Sequence, residues 1–335
     1  NSFLANFNLG SAYSKNGENE KALVCDKKAL ELEPGHRNIY YNIGVTYREM
    51  NQYEKSIEAF ENEVRLFPNE AKNHKDLGLM YAKTGQYDKS LVSLNEAVKL
   101  EPNEGIYYSC LGAFYSEKKD FPLAIDFYKK AIELNPEEAK YFNEIGAIYL
   151  KNDDFEKAEK NFLKACELDN NSFMSLNNLG IIYGEKKQNE KAKEYFLKAI
   201  EINSEFLNSY KALITIYFDE KEYDKLIELF LKLIEIKADQ KGLYNDLGVA
   251  YFHKKDFQSA KKYYLKELEI GDSPNAFYNL SELYSVENNI ELSLNYLNKA
   301  ILLNNKYINE AKNEPNFENL KDNVEFIKLL EPTNA

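Results

Sequence analysis

Fourteen glycines and eight prolines are few for a chain of 335 residues. A fold of many short strands needs more turn residues than that, so the scarcity points to long helices joined by short turns. Cysteine is scarcer still: Cys25, Cys110 and Cys166 are odd in number and far apart, with no Cys-x-x-Cys pair and no histidine at metal spacing. They read as small, reduced packing residues rather than as a disulfide framework or a metal site, which favours a reducing compartment. No apolar run reaches the roughly 18 residues that a membrane span requires. Positive charge is also in deficit, 43 Lys and Arg against 55 Asp and Glu, a formal net charge of -12. That argues against a general nucleic-acid or anionic-membrane surface, because neither counterion release nor lipid attraction favours an acidic protein. What is present is 44% hydrophobic and 14% aromatic residues, too much for a disordered chain. The length suits two ordinary domains or one elongated array. The sequence begins Asn-Ser-Phe without an initiator Met and is expected to be a trimmed or processed form. Cytoplasmic localisation is the expectation, with any leader before Asn1 outside the sequence.

The scarce residues are not scattered. Glycines fall at Gly10, Gly44, Gly78, Gly112, Gly146 and Gly180, each 34 residues after the last, and Gly248 resumes the series after one skipped place. Prolines repeat the interval at Pro34, Pro68, Pro102 and Pro136. A tyrosine follows each glycine position by three residues, from Tyr13, Tyr47 and Tyr81 through to Tyr217, Tyr251 and Tyr284, with one residue lost near Gly271. Counting the glycine as position 8 gives nine units: 3–36, 37–70, 71–104, 105–138, 139–172, 173–206, 207–240, 241–273 and 274–307. Each predicts two amphipathic helices. Positions 4, 7, 8 and 11 share one face of the first, as in Tyr108, Leu111, Gly112 and Tyr115; positions 20, 24 and 27 share one face of the second, as in Ala124, Tyr128 and Ala131. Small residues at 8, 20 and 27 let backbones approach, aromatics at 17 (Tyr53, Tyr87, Phe121, Phe155, Tyr223, Phe257) mark the start of the second helix, and proline at 32 ends it.

This pattern resembles the tetratricopeptide repeat family: a large residue, Leu-Gly, Tyr, and later Ala, Phe and Pro over a 34-residue period. The resemblance covers residues 3–307. It implies an all-α fold, a right-handed α-α superhelix of nine helix-turn-helix repeats forming a single domain, with the first helix of each unit lining a concave groove. One helix pair cannot bury enough surface to offset its chain entropy, so neighbours and end caps are needed. Residues 308–335 are expected to supply a C-terminal capping helix and tail, with Phe317, Leu320, Val324, Ile327 and Leu330 on one face of a helix over Asn316–Leu330. At the other end Phe3, Leu4 and Phe7 are expected to be exposed on the first helix, which leaves missing upstream sequence or self-association through this repeat. Unit 7 departs most from the pattern, placing Ile214, Leu226 and Leu233 where small residues belong, and predicts helices pushed apart, either as a hinge or by quiet repacking.

Catalytic chemistry finds no foothold. His36, His74 and His253 fall at different repeat positions, and no phosphate loop, His-Glu-x-x-His or Gly-x-Ser-x-Gly occurs. Carboxylates interleave with lysines as on solvated helices, and no unit exceeds two net charges, so no electrostatic patch is visible. No enzyme activity, cofactor or metal is expected.

The family resemblance further implies that positions 2, 5, 6, 9, 12 and 13 face the groove. Position 6 carries Asn8, Asn42, Asn178 and Asn279, interrupted by Cys110, Glu144 and Ala212, and position 5 adds Asn143, Asn177 and Asn245. An amide donates to a peptide carbonyl and accepts from a peptide N–H at once, so such a row can hold an extended backbone. It is similar to the asparagine ladder of O-linked N-acetylglucosamine transferases. Tyr41, with Phe7, Tyr278, Phe218 and Phe252, offers aromatic anchors. The carboxylate clamp of chaperone adaptors is not matched: Lys75 and Lys211 stand at position 5, but Leu79 and Thr215 follow at position 9. The expected function is a non-catalytic scaffold for an extended peptide or protein segment, with no nucleic acid and no membrane insertion. The alternatives are the substrate-recognition arm of a larger, glycosyltransferase-like enzyme and an end-to-end self-assembling structural protein.

Overall fold

The computed structural model describes residues 2–237 and 240–331. Among these the chain is helical and without strands, and eighteen helices pair into nine hairpins. The first five are α1 (Phe3–Lys15) with α2 (Asn19–Leu32), α3 (Ile39–Glu49) with α4 (Tyr53–Leu66), α5 (Ala71–Lys83) with α6 (Tyr87–Leu100), α7 (Gly105–Glu117) with α8 (Phe121–Leu134), and α9 (Ala139–Lys151) with α10 (Phe155–Leu168). They are followed by α11 (Phe173–Glu185) with α12 (Asn189–Ile202), α13 (Leu207–Asp219) with α14 (Tyr223–Ile236), α15 (Leu243–His253) with α16 (Phe257–Ile270), and α17 (Pro274–Val286) with α18 (Ile290–Leu303). The chain divides into two compact units, one ending at Asn178 and the other beginning at Leu179, within α11. No described helix is long and apolar enough to cross a membrane.

Each hairpin turns at repeat position 15, where the backbone is left-handed: Gly17 and Gly85 at φ 76°, and non-glycine residues such as Asn51, Lys119, Lys187 and Lys255 elsewhere. The following N–H donates to the carbonyl of the periodic tyrosine, as in Glu18 to Tyr13, Asp120 to Tyr115 and Asp256 to Tyr251, each at 2.9 Å. This satisfies an otherwise orphaned helix-end carbonyl and fixes the turn.

The glycine at position 8 lies against the large residue at position 24. A Cβ added to Gly112 would stand 2.9 Å from the Tyr128 ring, and one on Gly146 2.8 Å from Phe162. Only glycine allows this approach without moving the ring. Where position 20 is serine, its hydroxyl tightens the contact further, Ser56 Oγ donating to Gly44 O and Ser90 Oγ to Gly78 O, both at 2.7 Å.

Position 27 is not always small. Glu63 and Glu267 are fully buried there. Glu63 accepts from the backbone N–H groups of Asn38 (2.8 Å) and Tyr41 (3.2 Å), and Glu267 from those of Gly242 (2.7 Å) and Asn245 (3.4 Å). Each carboxylate thus caps the N-terminus of its own hairpin's first helix, and α3 and α15 are two residues shorter than the 13-residue first helices elsewhere. A caps-for-length exchange of this kind follows from the orphan donors of a helix start.

Unit 7 keeps its hairpin by repacking. Leu226 and Leu233 are buried at 1% and 5% exposure, and α13 and α14 approach less closely along their length than α15 and α16 or α17 and α18. The expected separation is therefore present, with Leu226 and Leu233 covered and Ile214 half-buried.

Both ends differ from expectation. Phe3 is buried against Ala29 and Ile39, its ring 4.2 Å from that of His36, and Phe7 is half-buried beside them; of the three, only Leu4 is exposed. At the C-terminus the single capping helix expected over 316–330 is not formed, and three short pieces follow the last hairpin. These are α19 (Lys306–Asn313), a 3-10 segment over Pro315–Leu320, and α20 (Val324–Leu329). Pro315 separates α19 from the 3-10 segment, and a turn after Leu320, closed by Asn323 capping α20, changes the register so that Phe317, Leu320, Phe326 and Leu330 are buried while Val324 and Ile327 face solvent. The segment packs on Tyr278, Leu294 and Leu297 of the last hairpin. Polar contacts fasten it to α17: Ser285 Oγ donates to Asn319 Oδ1 at 2.6 Å, and Asn319 Nδ2 to Ser285 O at 3.0 Å.

Glu282 of α17 shares a hydrogen bond with Glu314 at the start of the 3-10 segment, and burial together with the charge of Glu314 pushes its carboxyl up to about 8. The folded form therefore holds a proton that the unfolded chain releases near 4.5, so this contact weakens as pH rises from there to about 8. Glu282→Gln is expected to flatten the pH dependence of thermal unfolding between pH 6 and pH 9, with a higher Tm than wild type at pH 9. Parallel curves would contradict the shared proton.

Candidate peptide-binding face

Within each compact unit, the first helices bring residues from among repeat positions 2, 5, 6, 9 and 12 of successive repeats into contact. In the first compact unit, Tyr41 (position 5 of α3) donates its hydroxyl to Asp76 Oδ2 (position 6 of α5) at 2.8 Å. Asn42 Nδ2 donates to Ser11 Oγ of α1 at 3.1 Å. Asn143 Oδ1 accepts from Ser175 Oγ at 2.9 Å. Asn8 is exposed on α1, Asn178 is half-buried, and Asn177 is buried at 5% exposure. In the second compact unit, Asn279 Nδ2 of α17 donates to Asn245 Oδ1 of α15 at 2.8 Å, while Asn245 Nδ2 reaches Asp246 Oδ1 at 3.3 Å.

The predicted asparagines therefore divide. Asn245 is 4% exposed with both ends of its amide engaged, and Asn177 is equally enclosed. Asn245 braces neighbouring repeats through its bond to Asn279. Asn42, Asn143 and Asn279 use part of their hydrogen-bonding capacity between repeats and keep part accessible, and Asn8 stands apart from the rest.

A cluster that the sequence did not disclose surrounds Tyr41. Asp76, 4% exposed, lies 3.3 Å from Lys75 Nζ and 3.7 Å from Arg48 Nη1, and Lys72 Nζ stands 3.8 Å above the Tyr41 ring. Burial, then the charge and hydrogen bond of Asp76, hold the Tyr41 phenol above its ordinary range. Cys110 on α7 continues the face. Burial pushes its thiol up to about 11 against the opposing fields of Lys75 and Lys140. Glu144 of α9 is raised by burial and opposed by Lys140 and Lys151. Unit-by-unit charge sums conceal the cluster because Tyr41 and Arg48 come from one repeat and Lys72, Lys75 and Asp76 from the next.

The histidines are held by structural contacts. His74 Nε2 lies 2.7 Å from Pro68 O, and His253 packs on the rings of Phe218 (5.1 Å) and Tyr223 (5.8 Å), its imidazole lowered by burial. Glu190, Glu220 and Glu222 converge closely enough to suggest a cation site, but the Lys193 ammonium occupies the convergence, 2.8 Å from Glu220 and 3.1 Å from Glu222.

Sequence models of the tetratricopeptide repeat match residues 4–36, 38–70, 76–104, 106–138, 127–160, 174–206, 242–270 and 274–307. The chain belongs to the tetratricopeptide repeat family. The matched stretches of this tetratricopeptide repeat protein leave out 207–241, the unit carrying Ile214, Leu226 and Leu233. No curated protein matches it in sequence. Among solved structures it is similar to PilW, a widely conserved type IV pilus biogenesis factor (TM-score 0.56, 16% identity, covering 63% of this chain and 98% of that one). It is also similar to the human IFIT1 dimer with PPP-AAAA (TM-score 0.53, 20% identity, covering 85% of this chain and 69% of that one). MamA is 25% identical over 48% of this chain and 95% of its own, at a TM-score of 0.42.

Proposed function

We propose that this tetratricopeptide repeat protein is a non-catalytic scaffold that holds an extended peptide or protein segment along the face of its first helices, the face that family membership makes concave. In this reading residues 3–307 act as one repeat domain and 308–331 close it, the rest of the tail lying outside the described residues. The observation that carries the proposal is the partly committed amide row. Asn42, Asn143 and Asn279 are each anchored through one hydrogen bond to a neighbouring repeat, which fixes their rotamers, while a donor or acceptor stays accessible. Preorganised amides of this kind bind a peptide backbone without a large entropy cost. Asn245 acts from behind as a brace.

The test is selection of 12-residue peptides from a displayed random library on the folded protein, followed by titration of the selected peptides. Asn143→Ala combined with Asn178→Ala is expected to weaken them about tenfold, the worth of one or two hydrogen bonds, with the protein fully folded at the titration temperature although its Tm falls by a few degrees through loss of the Ser175–Asn143 bond. Unchanged affinity, or failure to select any peptide, would contradict the proposal.

A further inference from the structure

The face of the first compact unit is more cationic than the whole molecule. Arg48 and Lys75 share the carboxylate of Asp76 beside Tyr41, Lys72 stands over the Tyr41 ring, and Lys140 lies on α9, two first helices further along. Arg48 is also 3.1 Å from Glu49. Lys72 and Lys140 form no ion pair among the described residues. Asp76 cannot serve as the counter-ion of an incoming cation, because Tyr41, Lys75 and Arg48 already use it and it is 4% exposed. The charge left over on this face is positive.

We propose that this cluster, Arg48, Lys72, Lys75 and Lys140, selects an extended segment bearing several Asp or Glu side chains. The proposal rests on the reading of this face as a peptide-binding surface and names the chemistry of what it takes. Lys72 and Lys75 are one turn apart on α5, with Cβ atoms about 5–6 Å from each other. Adjacent packed helices lie about 8–10 Å apart, so Lys140 stands roughly 20 Å further along. An extended chain advances ~3.3 Å per residue, so acidic residues about six positions apart reach both ends of the cluster. The site is not the carboxylate clamp, which needs asparagine at position 9 where this chain has Leu79. It reads side-chain carboxylates, not a chain terminus. The overall charge of -12 does not oppose this at physiological salt, where charges beyond about 8 Å are largely screened and those in contact are not. The accessible amide of Asn143 on the same face suits a peptide backbone better than a nucleic acid.

The experiment is fluorescence anisotropy with four labelled probes: 12-residue peptides alternating Glu with Ser, Lys with Ser, and Asn with Ser, and an eight-nucleotide oligoadenylate. The wild-type protein is expected to bind the Glu peptide at least ~10-fold more tightly than the Lys or Asn peptides, with the preference shrinking between 50 and 300 mM salt. Lys72→Glu with Lys75→Glu is expected to abolish that preference, whereas Lys89→Glu with Lys99→Glu, on α6 of the same repeat, leaves it within twofold. Circular dichroism confirms folding of each variant. Equal affinity for the Glu and Lys peptides, tighter binding of the oligonucleotide, or an equal loss in the α6 variant overturns the proposal. If library-selected peptides bind without acidic preference, the charge reading alone fails; if no peptide of any composition binds, the scaffold reading fails with it.

Discussion

Replacing Asp26 with leucine is expected to make the protein more stable at pH 7.5 by roughly 2–4 kcal/mol. Asp26 occupies position 24 of the first repeat, where other units place Phe60, Leu94, Tyr128 or Phe162. It is fully buried, both carboxylate oxygens lack a hydrogen-bond partner, and burial alone pushes its carboxyl up to about 7. The opposing backbone is so close that a Cβ on Gly10 would lie 2.1 Å from Asp26 Oδ1, leaving no room for a solvating water on that side. The sign of the pH dependence follows. The unfolded chain ionises near 3.8 and the folded one near 7, so the folded state binds the extra proton between those values and stability falls as pH rises through that window. Above about 7 the carboxylate is charged in the core and the full penalty applies. Leucine recreates the Gly78–Leu94 pair of the third repeat, which shows that the side chain fits against glycine. Thermal unfolding of wild type and variant should therefore diverge with increasing pH and converge near pH 4. A constant gap, or a variant no more stable at pH 7.5, would refute the buried-charge account.

The second large effect concerns the other end. Phe317→Ala is expected to cost about 3–5 kcal/mol, the usual range for emptying an enclosed aromatic site. Phe317 is fully buried, in an edge contact 5.8 Å from Tyr278 and a tilted contact 5.6 Å from Phe326. Because the segment over 306–331 packs on the last hairpin, losing its anchor should free the whole segment and expose the faces of α17 and α18 that it covers. Hydrogen exchange should show lost protection over residues 306–331 and raised exchange in 274–303, with α15 and α16 less affected. Val324→Ala, at a residue 64% exposed, is the control and should change stability by less than about 0.5 kcal/mol. Equal effects of the two substitutions would return the cap to the register read from the sequence alone.

The helices and their pairing were legible because a 34-residue period repeats one packing solution, and each departure would break a contact made elsewhere in the series. Helix starts at Tyr53, Tyr87 and Phe121 were recovered to the residue. What was not legible depends on residues outside the repeated pattern. Glu63 and Glu267 look like substitutions of a small residue until their carboxylates are found on backbone N–H groups some 25 residues earlier in the chain. The capping segment has helical spacing throughout, yet the turn capped by Asn323 restarts the helix in a register that buries Phe326 and exposes Ile327. Phe3 is covered by His36 and Ile39, whose positions a repeat alignment does not single out. Of the proposed face, the amide row was visible as a column of asparagines. Which of them brace and which remain open required the partners, and the cluster round Asp76 required two helices of successive repeats brought together.

The most direct measurement is a hydrogen-exchange footprint of the protein saturated with a library-selected peptide. Protection is predicted along the first helices, strongest in α3, α5 and α9, with the outward second helices α4, α6 and α10 unchanged. Protection confined to the second helices, or absent from residues 39–151, would contradict a peptide held on the first-helix face.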